Sequence, residues 1–548
     1  MRYADGSFVQ TPEGQFVYVD RSLLEGIYNS VITNPYKDEH ATVRPLSRGG
    51  MGECEIAFNK LREERCCRAI SDFIGESVSL EETPSIDVLC SGGGVRASLW
   101  TLGGLKALEE SKILPMTNRV ASLSGSTWTV ASWMISGKSF NEFYGDMMDR
   151  ITNGFFQWGV DEQLEALHDM LPVITEAVIR TIIFEGTPLP SPAILIYGLM
   201  LGASYLGVEP KELLTTHLAQ QGMYLTHGEH PLPLYTFIVP VMLRTEGSSE
   251  TENCVVNAVN ISEDEIANDR ASKRGYLFGE CSPFEVAYLD CVGSDGASVP
   301  TWSVGSSFVA GSAAKINPPL PLCTWMGIWG SAISASFREI YEHVLKTAEP
   351  RILFSALQQL VMTSFGDIRL FAYKMRNFTR KMNDVVDPKS SKHAVVDAGL
   401  ACNIPIWTIR PERSSDLVII FDASGNVADG GELQKAEVYA QQHAIPFPKI
   451  DYEKALSQPV SIFDDGPGKP VVVYIPIIKN ERYNQQFDPL KYFDIGGFLH
   501  TFNFNYSLRE ASLMTGLVSW SVREVVPTLK KVVKLLVERK REMREVVV

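Results

Sequence analysis

The chain has 548 residues, 45% of them apolar and 21% charged, enough to bury one large core or two smaller ones. A formal net charge of −15 argues against nucleic-acid binding and against broad attraction to anionic membranes. Nine cysteines without regular spacing read as reduced thiols, and the opening Met1-Arg-Tyr-Ala-Asp-Gly-Ser lacks the apolar stretch of a signal peptide; both features point to the cytoplasm.

In chain order, residues 1–84 are expected to form an N-terminal segment, helical through Glu55–Ile74. One α/β domain should follow, over 85–548. Short apolar runs near 86–90, 119–123, 417–421 and 471–475 read as strands of a central, mostly parallel sheet flanked by helices. The stretch from about 140 to 390 reads as an insertion that supplies further core elements and a helical cap or lid.

The run Asp87-Val-Leu-Cys-Ser-Gly-Gly-Gly-Val-Arg96 is an apolar strand ending in three glycines ahead of a helix. Bare backbone N–H groups in such a turn can point at a developing negative charge. Gly92, Gly94 and Ala97 also satisfy a dinucleotide-binding spacing, but the next strand ends in Ser124-Gly125-Ser126 where that fold needs a ribose-binding acid. Arg96 beside the turn suits an anionic group such as a phosphate, or else lies on a solvated helix face. Next comes Arg119-Val-Ala-Ser-Leu-Ser124-Gly-Ser-Thr, a strand running into a helix through small residues, as a serine nucleophile requires. Ser126 and Thr127 compete with Ser124, but only Ser124 follows the strand directly; a helix N-cap is its bland alternative. The usual elbow has glycine two residues before the nucleophile, where this chain has Ser122.

Ala193–Val208 is the most apolar run. It falls short of the roughly 20 residues of a spanning helix, so it reads as a buried cap helix or a lid touching lipid. His227-Gly-Glu-His230 lacks the helical spacing of a zinc site, and no metal or cofactor is expected. In His393-Ala-Val-Val-Asp397, the aspartate closes an apolar strand and is a candidate base. His393 would share its face but lie about 13 Å away along an extended chain, too far for a relay. A Ser–Asp pair therefore fits better than a triad. Asp422, also at a strand end, reads as a structural turn acid. Leu529, Val532, Val533 and Leu536, beside Lys530, Lys531, Lys534, Arg539, Lys540, Arg541 and Arg544, form a basic amphipathic helix that either lies on an anionic bilayer or packs on the core.

These stretches, with Pro231-Leu-Pro-Leu-Tyr-Thr236, Ser282-Pro-Phe-Glu285, Trp329-Gly-Ser-Ala332, Val396–Leu400 with Asn403 and Pro405, Pro446–Ile450 and Thr501–Tyr506, occur in one order from about 85 to about 510. In this the chain resembles the catalytic domain of the cytosolic (group IV) phospholipase A2 and lysophospholipase family, within the patatin-like group. The resemblance implies Ser124 as nucleophile, Asp397 as base, the Gly93 and Gly94 amides as oxyanion hole and Arg96 as the holder of a substrate phosphate. The substrate it implies is a phospholipid or lysophospholipid at a membrane or micelle surface, cleaved through an acyl-serine. The family's serine after the aspartate is replaced by Ala398. Too few residues precede the core for a calcium-binding C2 domain, so calcium-triggered docking is not expected. A transacylase, a non-catalytic lipid-binding protein of the same fold and a dependence on a protein activator stay open at this stage.

Overall fold

The computed structural model describes residues 6–10, 16–46, 50–185, 192–242, 274–289, 296–331, 372–382 and 389–547. Parts of the 140–390 stretch, and Ala332 of the Trp329–Ala332 match, lie outside the described residues. Among the described residues the main sheet has twelve strands. They are β1 (Arg44–Pro45), β2 (Ile86–Cys90), β3 (Arg119–Ser122), β4 (Leu232–Met242), β5 (Arg274–Cys281) and β6 (Glu285–Tyr288), then β7 (Ala297–Pro300), β8 (Tyr373–Arg376), β9 (Lys392–Asp397), β10 (Leu417–Asp422), β11 (Ser461–Phe463) and β12 (Val471–Pro476). Their lateral order is β11-β12-β10-β2-β3-β4-β5-β6-β7-β1, with β9 also on β4 and β8 on β9.

The four expected strands are present, at β2, β3, β10 and β12. With the start of β4 they form the parallel centre. β2, β10 and β12 are buried along their whole length, which is why they read as mostly apolar runs, with Asp87 of β2 paired to Arg119 at 2.8 Å. The sheet as a whole is mixed, because β5, β6, β7 and β1 continue it by antiparallel pairing on one side and β11 on the other.

Helices cover the sheet: α1 (Glu53–Ile74), α2 (Gly94–Glu110), α3 (Gly125–Ser136), α4 (Phe140–Asn153), α5 (Pro192–Tyr205), α6 (Leu322–Trp329), α7 (Gly431–Gln442) and α8 (Leu508–Val547). The apolar run of the sequence becomes α5, which packs on α6 with Ile194, Leu195, Leu199 and Leu201 in the core. No described helix is long and apolar enough to cross a membrane. The basic helix α8 lies on α2, where Ser519 Oγ donates to the Gly103 carbonyl at 2.8 Å. Four of its cations pair with acids of this chain: Lys534 with Glu76, Arg539 with Asp464 at 2.7 Å, Lys540 with Asp416 at 2.9 Å and Arg541 with Glu82 at 3.2 Å. Of its two readings, packing is the one the structure adopts.

A buried ionic cluster ties α1 to the sheet. Arg413 bonds both oxygens of Glu55 (2.5 and 2.6 Å) and reaches Glu280 at 2.7 Å, while Arg410 meets Glu280 at 3.1 Å. Burial alone would raise the Glu55 carboxyl, but Arg413 outweighs it and, with Arg410 and Arg119, holds it below its ordinary range. A lowered carboxyl contributes stability above its unfolded-state pKa and loses it as pH falls through the folded value. Arg413→Met strands the buried Glu55 carboxylate and leaves Glu280 with Arg410 alone, so urea unfolding at pH 7 should register a loss of about 3–5 kcal/mol. The gap to wild type should narrow as pH falls, because the stranded Glu55 of the folded variant takes up a proton before the Arg413-paired Glu55 of wild type does.

Candidate active site

β3 ends at Ser122, and two residues later the chain turns into α3. Ser124 sits in that corner with φ 52° and ψ −127°, a backbone region that costs an L residue about 1–3 kcal/mol. Ser124 is 4% exposed, and among the described residues its hydroxyl has no hydrogen-bond partner. Its rivals are engaged. Ser126 Oγ donates to the Ser91 carbonyl and accepts from Thr101, and Thr127 Oγ1 donates to the Ser124 carbonyl. Ser122 stays in strand conformation and donates to the Leu234 carbonyl at 3.2 Å, so serine fits where the elbow usually has glycine.

The glycine turn lies directly against this corner. Gly93 (φ 139°) and Gly94 (φ 64°) bring the chain from β2 into α2 through conformations that favour glycine. Their N–H groups have no bonded acceptor among the described residues and stand at the positive end of α2. A Cβ on Gly92 would fall 2.7 Å from Ser124 Cβ, and one on Gly125 only 1.9 Å from the Gly94 carbonyl oxygen. Cys90, just before the turn, is no competing nucleophile, since burial pushes its thiol up to about 12.

Asp397 arrives from the opposite direction. On β4, Tyr235 pairs with Ser122 of β3 and Phe237 pairs with Asp397 of β9. β5 fills the other edge of β4 along Tyr235–Met242, so β3 and β9 share one edge and meet head-on at their C-terminal ends. Ser122 and Asp397 thus oppose positions two residues apart, about 7 Å along a strand. The fully buried Asp397 accepts the Gly399 N–H at 2.8 Å, and its own N–H donates to Ser331 Oγ at 3.0 Å. His393 lies back along β9, its ring 5.3 Å from that of Tyr288.

Asn403 joins the two halves. Its carbonyl accepts the Gly92 N–H at 3.3 Å, and its Nδ2 donates to the Gly92 carbonyl at 3.2 Å and to Ser424 Oγ at 2.9 Å. Its Oδ1 lies against both Gly92 and Gly399. Asp422 holds the far end, accepting from Ser424 Oγ at 2.5 Å and Tyr474 at 2.7 Å, which makes it the structural acid expected from the sequence. Glu432, which nothing in the sequence singled out, accepts the Asn403 N–H at 2.6 Å from the first turn of α7.

Arg96 is buried beneath the segment before α8. Its Nε donates to the Ala423 carbonyl (2.9 Å), its Nη1 to Leu499 and its Nη2 to Thr501 Oγ1 (3.2 Å), and Phe493 covers the guanidinium at 4.5 Å. Burial lowers its pKa to about 10, which leaves it a cation at neutral pH. Among the described residues no group of three His, Cys, Asp or Glu side chains could hold a metal ion.

No family model matches the chain. It is 22% identical to mouse cytosolic phospholipase A2 zeta over 89% of its length and 62% of that protein. It is 21% identical to mouse cytosolic phospholipase A2 delta over 79% of its length and 55% of that protein. The chain thus spans less than two thirds of the curated relatives it matches. Human GIVD cytosolic phospholipase A2 superposes with a TM-score of 0.70 at 19% identity, over 98% of this chain and 73% of that one. The same human protein in complex with methyl gamma-linolenyl fluorophosphonate gives 0.63 at 20% identity, covering 98% of this chain and 70% of that one. With the glycine turn, the elbow and Asp397 gathered at one end of a fold of that kind, this chain is a relative of the group IV cytosolic phospholipases A2.

Proposed function

We propose that the chain is a phospholipid acyl hydrolase, a phospholipase A2 or lysophospholipase, that works through a Ser124–Asp397 dyad and an acyl-serine intermediate. The observation that carries this is the strained, unbonded Ser124 at the end of β3, with Asp397 meeting it on the same edge of β4. Asp397 takes the hydroxyl proton as Ser124 attacks the ester carbonyl. The oxyanion falls to the Gly93 and Gly94 amides, fixed beforehand by the Asn403 clamp. Asp397 returns the proton to the leaving glycerol oxygen, and water then cleaves the acyl-serine with Asp397 again as base. Arg96 holds the substrate phosphate. To do so it exchanges its bonds to Leu499 and Thr501 for phosphate oxygens. The work is done in the cytoplasm, at a membrane or micelle surface.

Asn403→Ala keeps the backbone bond to Gly92 and loses both side-chain bonds. It should cut kcat by about ten- to a hundredfold with KM little changed, because a loosened oxyanion hole weakens transition-state binding.

The direct test measures fatty-acid release from phosphatidylcholine and lysophosphatidylcholine micelles, with and without a calcium chelator, and maps the serine labelled by a fluorophosphonate lipid. The expected result is chelator-resistant release and a label on Ser124. Release without any label on Ser124 would overturn the dyad. Binding of both lipids with no release, even after cell extract is added to supply an activator, would make the chain a lipid-binding protein instead.

A further inference from the structure

Tyr197, on α5, carries a hydroxyl that is fully buried and has no hydrogen-bond partner among the described residues. Such a group is costly to keep and calls for an explanation. Its position is informative. A Cβ on Gly330 would lie 3.1 Å from this hydroxyl and 2.7 Å from the Trp128 ring, on the elbow helix α3. The next residue, Ser331, holds the Asp397 N–H. The Tyr197 ring meets Phe504 edge-on at 6.4 Å, and Trp128 stacks on the same ring at 6.2 Å. The hydroxyl is therefore a polar point on an aromatic wall between the elbow helix and the strand end that bears Asp397. Burial, and then the nearby Asp397 charge, raise the phenol well above its ordinary pKa, so it stays a donor at any working pH.

We propose that Tyr197 is a substrate-positioning donor, whose hydroxyl bonds the glycerol oxygen next to the scissile ester of a bound phospholipid or lysophospholipid. The proposal rests on the acyl-hydrolase reading above. It follows by assigning acceptors. Such a lipid offers the scissile carbonyl, the phosphate and the other glycerol oxygens. The carbonyl falls to the Gly93 and Gly94 amides and the phosphate to Arg96, while an acyl chain accepts nothing. The remaining glycerol oxygen lies one carbon from the reacting ester, and among the unpartnered phenols Tyr197, Tyr205, Tyr288 and Tyr506, it is Tyr197 that lies against Gly330, next to the Ser331 that holds the base. A site built to bond a substrate oxygen discriminates sharply against an analogue that lacks it.

Tyr197→Phe removes only the hydroxyl. With no bond to lose, its Tm should equal or slightly exceed that of wild type. Two uncleavable probes separate the outcomes: 1-O-hexadecyl-lysophosphatidylcholine, which keeps glycerol oxygens, and hexadecylphosphocholine, which has none. Binding of the first to Tyr197→Phe should weaken about tenfold and binding of the second should be unchanged. Unchanged affinity for both, or equal loss for both, overturns the proposal. Neither probe is turned over, so fatty-acid release from phosphatidylcholine by the same wild-type preparation judges the hydrolase reading separately. A tenfold probe difference without release would leave the donor standing and remove the hydrolase.

Discussion

Ser124→Ala and Asp397→Asn should each lower kcat/KM for fatty-acid release by about 10⁴-fold or more, and the double variant should be little worse than either. Alanine at 124 removes the atom that forms the acyl bond. Asparagine at 397 keeps the size of the side chain and an oxygen for the Gly399 N–H, but it cannot take a proton. The two side chains perform one step between them, so their losses overlap. Neither change disturbs a packed element. The Ser124 hydroxyl bonds nothing among the described residues, and alanine keeps the same Cβ in the same backbone conformation, so Tm should change little. Release assays with thermal melts check both halves. Activity within a factor of ten of wild type in Ser124→Ala would move the nucleophile elsewhere, and a large drop in Tm would mean that the loss reports misfolding.

Gly125→Ala is the second large effect, and its cause is steric. The added methyl would fall 1.9 Å from the Gly94 carbonyl oxygen, 2.5 Å from its carbon and 2.9 Å from its Cα. These are backbone atoms of the turn that supplies the oxyanion hole, so no side chain can swing aside. Forcing them apart should cost about 1–3 kcal/mol of stability. It also shifts the Gly93 and Gly94 amides, and a misplacement of about 1 Å costs on the order of 10²-fold in rate. Gly145→Ala is the control. That glycine lies inside α4 with nothing within 4 Å of the added atom, so alanine should be neutral or mildly stabilising. Loss of kcat at 125 with full activity at 145 is the expected pattern. Equal kcat in both variants would mean that the elbow and the glycine turn are not in the contact described.

Expected strand and helix positions agreed where the signal was local. The helix expected over Glu55–Ile74 runs from Glu53 to Ile74, and the four apolar runs became β2, β3, β10 and β12. The antiparallel strands that widen the sheet were missed, since alternation does not say which way a neighbouring strand runs. The basic C-terminal helix carried two readings because a periodic apolar face is the same whether protein or lipid covers it. Its partners Glu76, Glu82, Asp416 and Asp464 lie far away in sequence.

By itself the sequence determined the glycine turn, the serine corner and the acid at a strand end, because each is a short-range arrangement of small residues after an apolar run. Backbone sterics within a few residues force those turns wherever the rest of the chain goes. Tertiary structure alone decided that β9 meets β3 head-on along β4, that Asn403 clamps Gly92 from 311 residues away, and that Arg96 lies beneath Leu499 and Thr501, over 400 residues on. The Tyr197 hydroxyl belongs to the same group, as an ordinary tyrosine in an apolar helix whose meaning comes from what surrounds it. These contacts are settled by burial and by the pairing of polar groups shut away from water, and both depend on the whole fold rather than on any local stretch.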